Sequence, residues 1–227
     1  MIENLLSWLA PHRCVGCRAE GSPLCSVCFD NLSEQPWNRC ILCYLPCGSG
    51  ALCRDCQAKG PLDMAWAAGG YGGELKRLVK SLKFERARQA ALSLAELLDW
   101  LLPELPTTTA VVFVPTANSR RRQRGYDQSE LIARALAGRR GWPCRQMLER
   151  SDGSRQMGSG RRQRLARAKT LFKTAGPAPS GAPILLVDDV ATTGASLGAA
   201  AKVLKAAGAS QVMAAVCAVS GAGRVKM

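Results

Sequence analysis

The chain has 227 residues, 47% of them hydrophobic, and a formal net charge of +14 at pH 7. This length allows one substantial core with a small added module, and the composition excludes a disordered chain. No apolar run approaches the roughly 20 residues that span a bilayer. Residues 1–14 lack the basic start and the small-residue cleavage site of a secretory signal, so we expect a cytoplasmic location.

Four C-x-x-C pairs lie in the N-terminal segment, between residues 14 and 56. Each pair can present two thiolates to one metal ion, and two pairs complete a tetrahedral zinc site. A disulfide framework is the alternative, but it does not suit a chain expected in the cytoplasm. We therefore predict two structural zinc ions. Their ligands are Cys14, Cys17, Cys25, Cys28, Cys40, Cys43, Cys53 and Cys56.

The spacing of these pairs leaves two arrangements open. In the sequential arrangement the first two pairs share one ion and the last two share the other. In a cross-braced arrangement the first pair joins the third and the second joins the fourth. We favour the sequential arrangement, whose connecting loops are short. Cys47 is expected to be a spare thiol, with replacement of a neighbouring ligand as the alternative, and His12 is expected on the surface.

A domain boundary is indicated by Gly60, Pro61 and the glycines of residues 69–73. We predict a zinc module at residues 1–60 and a second domain at residues 61–227. The module contains few apolar residues, so metal binding must supply much of its folding free energy. Capping of the main domain is favoured over contact with nucleic acid or protein.

Residues 73–102, which follow the boundary, have one long helical pattern of apolar positions. Lys76, Lys80 and Lys83 recur at helical spacing and form a basic stripe beside the apolar face. An ordinary solvated face explains this stripe, and contact with a phosphate backbone is the alternative.

Three short apolar runs predict buried strands, at residues 108–115, 183–189 and 211–219. Between the last two, residues 196–207 have the composition of a helix that ends at Gly208. A strand, a helix and a strand at this spacing indicate an α/β fold with a parallel sheet flanked by helices.

Paired carboxylates, Asp188 and Asp189, end the second of these strands, and small or hydroxyl residues follow them. In a parallel sheet, ligands bind at the carboxyl ends of the strands. The carboxylates can accept hydrogen bonds from ribose hydroxyls, while the start of the next helix favours a phosphate. We therefore predict a phosphorylated ribose as ligand. The residues of its phosphate loop are Ala191, Thr192, Thr193, Gly194, Ala195 and Ser196.

Positive charge is concentrated upstream of this loop. Residues 111–180 contain 16 Lys or Arg and only four Asp or Glu. Such an excess favours phosphate-rich ligands or polyanionic partners, although a solubilising surface would also produce it.

The segment Ile184–Ser196 resembles the loop that binds phosphoribosyl pyrophosphate (PRPP) in type I phosphoribosyltransferases, with Ala191 replacing a larger aliphatic residue. Residues 112–137 are similar to the ComF family of phosphoribosyltransferase-like proteins, which is associated with competence and DNA uptake. That family has an Arg-rich turn followed by Arg-Gly-Phe-Asn-Gln. The matching residues here are Arg124, Gly125, Tyr126, Asp127 and Gln128. Because the cysteine module and residues 71–84 also resemble the family, the likeness covers nearly the whole chain.

One segment departs from the family pattern. Arg164 and Phe172 match it, but Arg167 stands where the family has Asn. In phosphoribosyltransferases the corresponding loop closes over the reacting atoms and excludes water. The divergence leaves turnover of PRPP open, while the loop keeps its anion-binding character.

The resemblance implies two alternative functions. As an enzyme, the protein would bind Mg²⁺-PRPP, with Asp188 and Asp189 as the catalytic residues, and transfer phosphoribose to a base or amine. As a DNA-uptake protein, it would bind single-stranded DNA and meet DNA-uptake or helicase-type partners. A third role is regulation of a partner by PRPP. Pyrophosphate or nucleic-acid binding is assigned to Arg120, Arg121, Arg122, Arg124, Tyr126 and Arg164.

Overall fold

The central feature of the chain is a five-stranded parallel sheet, seen in a computed structural model that describes residues 12–34, 37–47, 51–151, 171–176 and 181–221. The strands follow the order β1-β7-β6-β2-β3. Their bounds are β1 Met64–Ala67, β2 Ala110–Phe113, β3 Cys144–Arg145, β6 Ile184–Ala191 and β7 Val212–Val219. An antiparallel hairpin lies outside the sheet and consists of β4 Leu148–Arg150 and β5 Phe172–Thr174. The predicted α/β fold with a parallel sheet is therefore confirmed.

The sheet centre contains the three strands that the sequence predicts. Every residue of β2 and β7 is buried, as expected for strands covered on both faces by helices. The sequence did not indicate β1 and β3, because these edge strands are too short to show a periodic pattern. The second of these strands, β6, extends past the predicted residue 189 to Ala191. The two aspartates therefore lie within the part of β6 that pairs with β7.

Helices flank the sheet and also occur in the cysteine segment. Their bounds are α1 Ser26–Ser33, α2 Arg54–Lys59, α3 Gly73–Phe84, α4 Ala90–Leu101, α5 Asn118–Arg124, α6 Gln128–Arg140 and α7 Ala195–Ala206. Two core clusters fill the faces. Leu78, Leu94 and Leu136 lie in the cluster on one face, while Leu197 and Leu204 lie in the cluster on the other.

The prediction of one long helix over residues 73–102 is wrong, since α3 ends at Phe84 and α4 begins at Ala90. The backbone amides of Glu85 and Ala87 both donate to the carbonyl of Ser81. Arg86 adopts a positive φ of 55°, which breaks the helical path without glycine or proline. This turn places the end of α3 beside the carboxyl ends of the strands.

Among the residues that the structure describes, no helix is long and apolar enough to cross a membrane. The basic cluster around Arg164, which includes Arg167, lies outside the described residues.

Candidate functional site

A cleft of about 540 Å³ opens at the carboxyl ends of β2 and β6. The loop after β2 and the start of α5 form one wall, and the end of β6 with the start of α7 forms the other. The residues that line the cleft are Tyr71, Lys83, Val114, Pro115, Thr116, Ala117, Ser119, Arg120, Gln128, Arg150, Asp188, Asp189, Val190, Thr192, Ser196 and Ser220. Both predicted carboxylates and part of the predicted phosphate loop therefore face one space.

Asp188 is held in place by two donors. Its Oδ1 atom accepts a hydrogen bond from the hydroxyl of Ser129 at 2.9 Å and another from the amide of Asp189 at 2.8 Å. Burial first, and then the charge of Asp189, raises the pKa of Asp188 to about 8. The side chain is still partly open to the cleft, so a cation arriving there would lower this pKa again.

Asp189 is 5% exposed and forms an ion pair with Lys83, whose Nζ lies 2.9 Å from Oδ2. That oxygen accepts no well-aligned hydrogen bond within the described part of the chain. It therefore keeps a lone pair for a ribose hydroxyl or a metal ion. The sequence placed Lys83 in a surface stripe and did not assign it to this site. The signal that could have found it is its position four residues after buried Val79, beside the apolar face of α3.

The predicted phosphate loop, called the phosphate loop below, makes a tight turn from β6 into α7. Gly194 precedes the helix with a positive φ of 68°, which a glycine adopts at little cost. The amide of Ala195 donates to the hydroxyl of Thr193 at 3.4 Å. Thr192 and Ser196 line the cleft, whereas Ala191 is buried. The amide of Ala195 thus has a partner within the loop, and the helix dipole would favour an anion beside the hydroxyls of Thr192 and Ser196.

The opposite wall is fixed by the Arg-Gly-Tyr-Asp-Gln segment. Asp127 caps α6 by accepting from the amides of Ser129 and Glu130, and its Oδ2 also accepts from the amide of Thr116 at 2.7 Å. Gln128 Nε2 donates to the hydroxyl of Thr116 at 2.8 Å. These bonds tie the loop after β2 to the start of α6, which explains a structural need for Asp and Gln at these positions.

The predicted basic residues are divided among several places. Arg120 lines the cleft. Arg121 and Arg122 are exposed on α5 and are absent from the cleft lining. Arg124 donates to Gln128 at 2.7 Å and supports the wall from behind. Arg164 lies outside the described residues.

Tyr126 and Arg150 show what the sequence missed here. Tyr126 is 8% exposed, its hydroxyl donates to the carbonyl of Leu82, and the guanidinium of Arg88 lies 5.1 Å from the centre of its ring. Its ring therefore belongs to the core and not to the cleft. Arg150, at the end of β4, lines the cleft and had not been singled out.

The cysteines form two groups of four, and within each group the sulfur atoms lie within 4.8 Å of one another. The groups are Cys14, Cys17, Cys25, Cys28 and Cys40, Cys43, Cys53, Cys56. This is the sequential arrangement, and four thiols at this spacing are the ligand set of a structural zinc site. Cys47 and His12 belong to neither group.

Each group contains a thiol that ionises easily. Burial alone would raise the pKa of Cys14, but hydrogen bonds from backbone amides, that of Cys25 foremost, lower it to about 6. In the same way, the amide of Cys53 is the foremost of the donors that outweigh burial and lower the pKa of Cys40 to about 7. Donated N–H bonds favour thiolates, which are the form that binds zinc.

The second cysteine group adjoins the phosphate loop. Ile41 is fully buried in the same core cluster as Ala191 and Leu197. A Cβ atom added to Gly194 would lie 2.0 Å from Cδ2 of Leu42, so this loop and the cysteine segment are in close contact. The hydroxyl of Tyr44 can donate to the carbonyl of Thr192 or to that of Ser220, the latter at 3.1 Å.

The first cysteine group adjoins α3 on the other face of the sheet. Cys14 and Cys28 belong to the core cluster that contains Leu75 and Leu78. Nε of Arg77 donates to the carbonyl of Val15 at 2.7 Å.

Comparison with known proteins gives two findings. Residues 123–226 match the phosphoribosyl transferase domain family. The chain is 31% identical over 199 residues to the DNA utilization protein YhgH of Salmonella typhi, which covers 83% of this chain and 87% of that protein. It is 28% identical over 199 residues to YhgH of Escherichia coli K12, with the same coverage. It is 25% identical over 197 residues to the competence protein ComFC of Bacillus subtilis, which covers 80% of this chain and 77% of ComFC.

Proposed function

This chain belongs to the ComF family, and we propose that it acts in DNA uptake by binding single-stranded DNA, with a cleft that binds PRPP or another phosphorylated ribose. The N-terminal residues 1–60 form a module that holds two zinc ions in this proposal, and residues 61–227 form the phosphoribosyltransferase-type domain. The names of the relatives, a DNA utilization protein and a competence protein, support the DNA-uptake role.

The observation that carries the ligand proposal is the meeting of three kinds of group in one cleft. Asp188 and Asp189 offer oxygen acceptors, Thr192 and Ser196 offer hydroxyl donors at a helix start, and Arg120 offers a charged donor. A phosphorylated ribose needs acceptors for its diol and donors for its phosphate. A cleft that served only as a basic surface would have no use for two adjacent carboxylates.

The same carboxylates fit Mg²⁺. Oxygen atoms of carboxylates are ligands that Mg²⁺ accepts, and it binds through one or two of them together with substrate phosphates. Asp189 Oδ2 is buried, and its partner is the ammonium of Lys83. The ion would neutralise charge on a bound pyrophosphate.

The DNA proposal is supported by the exposed basic surface of α5 beside the cleft. A strand contains phosphate and sugar, which are also the parts that a phosphoribosyl ligand presents to a protein, and it adds a base that can stack. Arg120, Arg121 and Arg122 are exposed in succession on α5, and exposed arginines bind the backbone of a strand in a salt-dependent way.

The experiment is anisotropy of a labelled single-stranded oligonucleotide, titrated with Mg²⁺-PRPP at fixed salt. Displacement of the strand by Mg²⁺-PRPP is the expected result. An Asp188→Asn, Asp189→Asn variant should bind the strand as well as the parent and should lose the displacement. If the oligonucleotide does not bind at low salt, the proposed DNA role is wrong. If calorimetry detects no binding of Mg²⁺-PRPP, the proposed ligand is wrong.

Phosphoribosyl transfer is a second candidate, supported by the match of residues 123–226 to the transferase domain. A base or amine nitrogen would attack C1 of the ribose. The bond from C1 to the pyrophosphate oxygen would break, and pyrophosphate would leave with that electron pair. The protein would act by positioning and charge stabilisation through groups such as Arg120. Release of pyrophosphate from Mg²⁺-PRPP on addition of bases tests this activity.

A further inference from the structure

Phe84, the last residue of α3, is 68% exposed. The guanidinium of Arg124 lies 5.3 Å from the centre of its ring. An exposed ring of this size offers apolar surface that a ligand can cover with a gain in free energy. A ring with an arginine at its face is the arrangement on which unpaired bases stack.

The position of this pair connects it to the cleft. Lys83, the residue before Phe84, lines the cleft and pairs with Asp189. Arg124 donates to Gln128, which lines the cleft and donates in turn to Thr116. Phe84 is therefore the chain neighbour of one cleft residue, Lys83, and its ring contacts an arginine that is bonded to another, Gln128.

A second basic cavity of about 570 Å³ is lined by residues on both sides of Phe84 in the chain. Its wall includes Lys80 of α3 and Arg18 of the first cysteine segment. It also includes the three residues of the turn after α3, which are Glu85, Arg86 and Ala87. Arg18, Lys80 and Arg86 make no ion pair with any described residue. Phe84 thus lies in the chain between Lys83, which lines the cleft, and Glu85, which lines the second cavity. Within the described part of the chain, Arg120 of the cleft, like the three cations of the second cavity, has no ion-pair partner.

We propose that Phe84 and Arg124 form a base-stacking platform for single-stranded DNA, and that the second cavity binds the phosphates next to the stacked base. This inference rests on the proposed DNA role and assigns the residues that carry it. The strand would run from the cleft, across the ring, to Arg18, Lys80 and Arg86. An exposed aromatic ring whose chain neighbours line two cationic cavities complements the alternation of base and phosphate along a strand.

The test compares two labelled oligothymidylates by anisotropy, one intact and one with abasic sites in place of its bases. The parent protein should prefer the intact strand by about fivefold or more, since stacking of one base contributes about 1–3 kcal/mol. Phe84→Ala should remove this preference, whereas Phe84→Trp should keep it. Trp100→Ala is the matched control, because Trp100 is 55% exposed on α4, outside both cavities, and it should keep the preference.

A variant of the second cavity tests the path of the backbone. Replacing Arg18, Lys80 and Arg86 with Gln should reduce the slope of log affinity against log salt by about 2, since each lost phosphate contact contributes about 0.7 for a single strand. Mg²⁺-PRPP should bind both this variant and Phe84→Ala as it binds the parent.

Two results would overturn the platform. If the parent binds both oligonucleotides equally, or if Phe84→Ala keeps the preference for the intact strand, the ring stacks no base, although the proposed DNA role would stand. If the parent binds neither strand at low salt, the platform and the DNA role fail together.

Discussion

The two cysteine groups share one motif, yet they rest on opposite faces of the sheet. The first group packs with the core cluster of α3 and α4, and Arg77 joins it to α3. The second group packs with the cluster of α7, and Tyr44 and Leu42 contact the turn that begins α7. Under the proposed function, the first group would therefore support stability alone, and the second would support stability and the proposed phosphate loop together. The surrounding residues make this difference.

Removing one zinc site at a time should give the largest contrast between the groups. A Cys14→Ser, Cys17→Ser variant and a Cys40→Ser, Cys43→Ser variant should each lose one zinc ion, and each should lower the free energy of unfolding by several kcal/mol, because metal binding supplies folding energy. Only the second variant should lower the affinity for Mg²⁺-PRPP, by tenfold or more. Metal analysis, urea unfolding and calorimetry of the folded protein measure these effects.

Equal losses of Mg²⁺-PRPP affinity in the two variants would contradict this division. Calorimetry at low temperature on protein that elutes as folded keeps the affinity separate from the loss of stability.

The contact between Leu42 and Gly194 allows a sharper test of the link between the second cysteine group and the phosphate loop. Gly194→Ala introduces a Cβ atom 2.0 Å from Cδ2 of Leu42, at a φ of 68° that side chains rarely adopt. We expect a loss of about 2–3 kcal/mol in unfolding free energy and a clear loss of Mg²⁺-PRPP affinity. Gly198→Ala, in the helix that follows Gly194, is the control. A Cβ atom at Gly198 would have open space around it, and helix propensity favours alanine over glycine.

Leu42→Ala combined with Gly194→Ala should restore part of the lost stability, because it removes the clashing methyl group. If the double variant is as unstable as the sum of the two single variants, the two segments are not coupled through this contact.

The pH dependence of stability separates the cleft from both cysteine groups. The folded state raises the pKa of Asp188 from 3.8 to about 8, so it keeps a proton that the unfolded chain releases. The free energy of unfolding should therefore fall as pH rises through this window, by at most about 1.4 kcal/mol per pH unit for one proton. Asp188→Asn should remove this part of the slope, and saturating Mg²⁺ should reduce it.

Urea unfolding of the parent and of Asp188→Asn, measured between pH 6 and pH 8, gives the difference. Because the thiols are the same in both proteins, their titration cancels. Identical slopes for the two proteins would show that Asp188 is ionised throughout this range.

The sequence predicted the ligand sets, the central strands and the carboxylate pair, because each depends on local spacing. C-x-x-C pairs bring two thiols together whatever the rest of the chain does, and a run such as Ile184–Ala191 is apolar enough to be a buried strand. The break after Phe84 was not predictable in this way. It depends on the positive φ of Arg86 and on two amides that share one carbonyl, neither of which has a residue signature.

The long-range contacts of the site were also beyond local reasoning. Lys83 reaches Asp189 only because the helix ends where it does. Tyr126 and Phe84 are both aromatic and both lie near arginines, but Tyr126 is buried and Phe84 is exposed. This difference depends on tertiary packing, which the local sequence does not show. In the same way, nothing in the spacing of the cysteines shows which group faces the phosphate loop.

Removal of the Tyr44 hydroxyl is the smallest and most selective change that we consider at the contact between the second cysteine group and the phosphate loop. Tyr44→Phe removes one hydrogen bond to the carbonyls of Thr192 and Ser220 and leaves the ring in place. We expect a loss of about 1 kcal/mol in unfolding free energy, the usual contribution of one such bond, and a loss of about threefold in affinity for Mg²⁺-PRPP by calorimetry. Tyr126→Phe is the matched control, because its hydroxyl also donates to a carbonyl, that of Leu82 in the core. Tyr126→Phe should lose a similar amount of stability, and its affinity for Mg²⁺-PRPP should be unchanged. If both variants lose the same affinity for Mg²⁺-PRPP, the Tyr44 hydroxyl supports the phosphate loop no more than a hydroxyl in the core does.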